Sequence, residues 1–95
     1  MKITVNAQIP VTVMKEGDFF ICYSPAFELA THGETYEDAE KAFADALKLF
    51  LASVSEKGTW GKVLHEYGWT KIHKQWTPPV VIKQESFPVK IPACV

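Results

Sequence analysis

The sequence predicts an α+β fold: an antiparallel sheet of three to four strands with one long helix on one face, ordered β-β-β-α and followed by a short helix and a C-terminal strand. Three observations carry this reading. Ile3, Val5, Ala7, Ile9, Val11 and Val13 alternate with mostly polar residues, the period of a half-buried strand. Ala39, Ala42, Phe43, Ala46, Leu47, Phe50 and Val54 recur at steps of three and four, the period of one helix face. The strand-like segments precede the helix, and a single amphipathic helix must bury its stripe on something, so it lies across the sheet they form.

The first strand is expected over Ile3–Val13, with Pro10 at an edge or bulge because proline donates no ladder hydrogen bond. Lys15-Glu16-Gly17-Asp18 then turns the chain, and Phe19–Tyr23 returns as the second strand of a hairpin. Ser24-Pro25 breaks it, and Phe27–Thr31 reads as a short third strand ending at Gly33. Thr35 is placed to cap the main helix by accepting from the backbone N–H of Asp38, and Glu34, Glu37 and Asp38 complement the positive end of its dipole. Gly58 is available for the left-handed turn that closes the helix after Val54.

The second half is shorter in pattern. Thr59 opens a two-turn helix through Trp60, Val63, Leu64 and Tyr67, ending by Gly68 and tied down by Trp60 and Trp69. Lys71–Gln75 is polar, and Thr77-Pro78-Pro79 forms a stiff linker. Val80–Lys83 and Ser86–Ile91 have strand composition, the latter with Phe87, Val89 and Ile91 on one side, so the tail is expected to pair with a sheet edge of its own or a neighbouring subunit. Residues 1–76 form the α+β domain and 77–95 a proline-rich linker with a strand-like tail.

Ninety-five residues, 47% hydrophobic and with a net charge of −1, describe a folded domain without the basic excess of a phosphate-backbone binder. A domain this small buries only roughly 60–65% of its unfolded surface, which favours oligomerisation. MKITVNAQIP lacks an apolar signal region and no run approaches a membrane span, so a cytoplasmic chain is expected, with Cys22 and Cys94 reduced.

No catalytic constellation emerges. His32, His65 and His73 lack zinc-ligand spacing with one another or with the cysteines, and the carboxylates Glu34, Glu37, Asp38, Glu40 and Asp45 read as dipole complement and solvated helix face. Phosphate loops and nucleophile elbows are missing. The expectation is a non-enzymatic domain with neither cofactor nor metal. Phe19 and Phe20 are adjacent on a strand and cannot both enter the core. Phe20 and Tyr23 on the second strand, with Phe87 and Val89 of the tail, are the candidate partner-binding residues.

The segment DFFICYSPAFELATHGETYEDAEKAFADALKLFL, residues 18–51, resembles the core of HicB-like antitoxins of type II toxin–antitoxin systems. Gly17, Phe19, Phe20, Tyr23, Pro25, Leu29, Thr31, Gly33, Thr35, Asp38 and Ala39 carry the resemblance. GTWGKVLHEYGW is similar to a helix-turn segment in a longer branch of that group, so the likeness covers most of residues 1–70. It implies a partial ribonuclease-H-like arrangement without that enzyme's metal-binding acids. It also implies a protein that neutralises a small HicA-type mRNA interferase by covering its active surface, assembled as a dimer or larger. Many such antitoxins add a DNA-binding domain, but the stretch after Gln75 is too short for a helix-turn-helix and has no helix to complete a ribbon-helix-helix. DNA binding by this chain alone is therefore not expected. The alternative is a small RNA- or ligand-binding module, without a toxin partner, that uses the exposed aromatic of the second strand.

Overall fold

A computed structural model describes residues 7–92. The chain runs β1 (Thr12–Glu16), β2 (Phe19–Ser24), β3 (Leu29–Gly33), α1 (Tyr36–Lys57), α2 (Trp60–Glu66), β4 (Thr70–Ile72) and β5 (Gln75–Thr77). The first three strands form an antiparallel sheet in the order β1-β2-β3, and β4 and β5 form a separate hairpin. The α+β layout expected from the sequence is present.

Strand β1 lies later than the alternation suggested. Phe19 pairs with Glu16 and Tyr23 with Thr12 across the turn at Gly17-Asp18, so Lys15 and Glu16 are ladder residues rather than turn residues. Register set by a tight turn overrides hydrophobic alternation, and Pro10 lies beyond the last paired residue. Residues 7–11 belong to no strand, and the expected strand positions 3–6 lie outside the described residues. Strand β3 likewise starts at Leu29, because Pro25–Glu28 forms a turn in which the Glu28 N–H reaches the Pro25 carbonyl.

Helix α1 is built as its sequence specifies. The Thr35 hydroxyl accepts from the Asp38 N–H at 3.0 Å, and Gly58 closes the helix at φ +66°, where its N–H bonds back to the last turn. Ala39, Phe43 and Val54 are buried, with Ala42, Ala46, Leu47, Phe50 and Leu51 half-buried beside them. The helix packs over β3 and β2. Gly33 permits this approach, since a Cβ there would fall on the backbone nitrogen of Ala39. Thr31 Oγ1 donates to the Ala39 carbonyl at 3.0 Å from the same strand.

The core has two linked parts. Cys22, Ala39 and Phe43 fill the space between β2 and α1. Ala26, Phe27, Leu64 and Trp69 fill a second space where α2 and the chain after it meet the β2–β3 turn. Ile9, Leu29 and Leu47 touch both parts. The Trp69 indole Nε1 donates to the Ala26 carbonyl at 2.8 Å, joining segments 43 residues apart.

Within this chain the tail does not form the strand expected of it. Residues 78–92 belong to no helix or strand, and most of their large apolar side chains are exposed. A strand exists only where a ladder partner does, and none of the described strands lies beside these residues. The last strands are instead β4 and β5, whose connecting residues His73 and Lys74 both have positive φ, +50° and +66°.

Phe43 is 6% exposed, so Phe43→Ala is expected to destabilise the fold by about 3–5 kcal/mol in denaturant titration. Trp69→Phe keeps an aromatic ring but leaves the Ala26 carbonyl without its indole donor, and a loss of about 1–3 kcal/mol is expected by the same measurement.

Candidate functional site

Two surfaces are candidates, and the first follows from the alternation of β2. Residues directly opposite one another in an antiparallel ladder share a face. Phe20, Cys22 and Ser24 therefore lie with Lys15, Val13 and Leu29 on the helix side. Phe19, Ile21 and Tyr23 lie with Glu16, Met14, Thr12, Ala30 and His32 on the opposite side, which no described element covers. The rings of Phe19 and His32 meet edge to face, with centroids 5.9 Å apart at 89°. Phe19 is 46% exposed, Met14 is exposed, and Ile21 and Tyr23 are half-buried. The result is an apolar patch with Glu16 and His32 at its polar margin.

Of the residues singled out from sequence, Tyr23 is on this patch. Phe20 is not: it packs against the core cluster of Cys22, Ala39 and Phe43, with Lys15 Nζ 5.9 Å from its ring centre. Phe19 is the outward member of the pair. Phe87 and Val89 are exposed on the tail, apart from the sheet's strands. Ile21 and Met14 complete the patch and were not anticipated. Strand parity would have found Ile21 once Phe19 was taken as outward, whereas Met14 needed the true register of β1.

The second surface is a cleft of about 720 Å³ between the C-terminal half of α1, helix α2 and the β4–β5 hairpin. Leu47, Leu51, Trp60, Trp69 and Trp76 give it apolar walls, and Lys71 and Lys74 also line it. Lys71 Nζ lies 5.8 Å from the Trp76 ring centre, within cation–π range. Phe27, Phe50, Tyr67 and Trp69 stack in tilted or edge-to-face contacts behind it, which fixes the wall formed by Trp69. Such a cleft suits a flat apolar or aromatic group, with the two lysines available to a negative substituent.

Among the described residues, no cluster of three or more His, Cys, Asp and Glu is placed to hold a metal ion. Burial, and secondarily the negative Glu40, pushes the Cys22 thiol above its ordinary value. The Tyr36 phenol is also raised, by its hydrogen bond to Glu40. No helix among the described residues is long and apolar enough to cross a membrane. No family model, curated protein or solved structure matches the chain.

The raised Cys22 value has a consequence for stability. The folded state holds the thiol proton more tightly than the unfolded state, so this contribution is full below the ordinary thiol range and is lost as pH rises through it. Native protein is expected to lose stability above about pH 8.5 more steeply than Cys22→Ala, as measured by urea titration at stepped pH.

Proposed function

We propose that this chain is a protein-binding domain of the HicB-like antitoxin kind, which neutralises a small HicA-type mRNA interferase by occluding its active surface. The resemblance at residues 18–51 supplies the partner class. The observation that carries the reading is the uncovered outer face of the sheet, where Phe19, Ile21, Tyr23 and Met14 stand together on a rigid three-stranded platform. Aromatic and Met side chains are enriched where proteins bind one another, and a patch on a sheet loses little entropy on binding. Occlusion requires no chemistry from the antitoxin, only an interface on the order of 1,200–2,000 Å².

A second reading draws on the cleft. Its tryptophans and Lys71 and Lys74 suit a stacked base or another anionic aromatic ligand, which would make the chain a small RNA- or ligand-binding module. The formal charge of −1 gives that reading no broad electrostatic field to draw on.

The two readings separate in one set of binding measurements. A small basic protein encoded beside this chain is expected to co-purify with it. Phe19→Asp is expected to weaken that complex by about 30-fold or more while leaving the melting temperature unchanged. Undiminished affinity would remove the outer face from the interface. Retention on single-stranded RNA that falls steeply with salt, with no protein partner, would favour the cleft.

A further inference from the structure

Residues 78–92 run on from β5 as an exposed apolar tail. The radius of gyration is 16.6 Å, against about 12 Å for a compact chain of this length, and the extents are 59 × 28 × 21 Å. Phe87, Val89 and Ile91 are 70–79% exposed. Among the described residues the tail's ion pair is internal, Lys83 Nζ to the Glu85 carboxylate at 3.0 Å, so no salt bridge anchors it to the body.

The prolines give this tail a direction. In an extended strand, successive residues turn their N–H and C=O groups to opposite edges. Pro88 and Pro92 fall on one edge with Lys90, so the missing donors are gathered there. Phe87, Val89 and Ile91 keep their donors on the other edge, with their side chains on a common face. Such a segment can join one neighbouring strand and then stops further growth.

The body presents a matching edge. β1 is an outer strand of the sheet, five residues long like the run 87–91, and α1 lies over β3 and β2 rather than over it. Val13, on the helix side by parity, remains 38% exposed, and Val11, just before the strand, 43%. The uncovered strip is apolar at Val11 and Val13 with Lys15 at its far end, and the tail face that would continue it is apolar.

We propose that residues 87–91 of one copy add as a fourth strand along the free edge of β1 in a second copy, so that two chains exchange tails. Phe87, Val89 and Ile91 then lie on the helix side of the sheet beside Val13, outside the strip that α1 covers, and the proline edge faces solvent. At roughly 3.3 Å per residue, the extended stretch 80–91 reaches about 40 Å, enough to cross to a neighbour. Reciprocal exchange gives each chain both a tail and a receiving edge, so the contact is made twice in the dimer. The exchange is independent of the toxin reading.

The test uses the full chain and two single substitutions that differ only in strand parity. Native protein is expected to be dimeric by light scattering across a dilution series. Val89→Pro, which removes a donor from the pairing edge, is expected to give monomer, whereas Lys90→Pro, on the proline edge, is expected to remain dimeric. Amine cross-linking of mixed light and heavy isotope-labelled chains is expected to join Lys15 of one copy to Lys90 of the other. A monomeric native chain, an equal response of the two variants, or Lys15–Lys90 links confined to single chains would overturn the exchange.

Discussion

The fold depends on one burial event, the seating of Ala39 and Phe43 of α1 on Cys22 of β2. A helix with its side chains is roughly 10 Å across and strands lie about 4.8 Å apart, so one helix roofs about two strands. Here those strands are β3 and β2. The close approach is fixed at its start by Gly33, where a side chain would meet the Ala39 backbone, and by Thr31, whose hydroxyl binds the Ala39 carbonyl. Two uncovered regions follow: the inner side of β1 at Val13 with the neighbouring Val11, and the reverse face of the sheet around Phe19 and Met14.

The second half of the chain solves a different problem. The far end of α1 extends beyond the sheet, and its residues Phe50 and Leu51 need cover that the three strands do not provide. Helix α2 and the segment ending at Trp69 supply it, with Phe27 of the β2–β3 turn between them. The indole bond from Trp69 to the Ala26 carbonyl satisfies two buried polar groups that would otherwise cost about 1–3 kcal/mol each. Because Ile9, Leu29 and Leu47 belong to both clusters, loosening either one disturbs the other. The cleft is the seam left where this cover meets α1.

Features governed by local chemistry were legible in the sequence. The helix, its Thr35 cap, its Gly58 closure and its buried stripe all follow from spacing and residue type. Features set by pairing were less so. The alternation at residues 3–13 gave β1 its character but not its position, because the turn at Gly17-Asp18 and the pairing with β2 decide register. The same missing register hid which of Phe19 and Phe20 faces outward, and with it the membership of the outer patch. The β4–β5 hairpin was missed because its turn is His73-Lys74, two residues that carry a steric cost at positive φ and give none of the Asn-Gly signal usual there. The pairing of Lys71 with Trp76 across that hairpin compensates by placing the ammonium over the indole.

The tail shows why composition alone does not specify a strand. Phe87, Val89 and Ile91 have the alternation and β-propensity of one, yet a strand is a relation between two segments, and this chain's described strands do not supply the second. Random exposure of such a segment would invite open-ended association, since an unprotected strand templates on both edges. The placement of Pro88 and Pro92 on one edge changes that outcome, because growth stops after a single pairing. Leaving β1 bare on its inner side is therefore compatible with a discrete assembly rather than with aggregation. The outer sheet face, on the other side of the ladder from Val13, stays open in such an assembly, so tail exchange and binding of a different protein do not compete for the same residues.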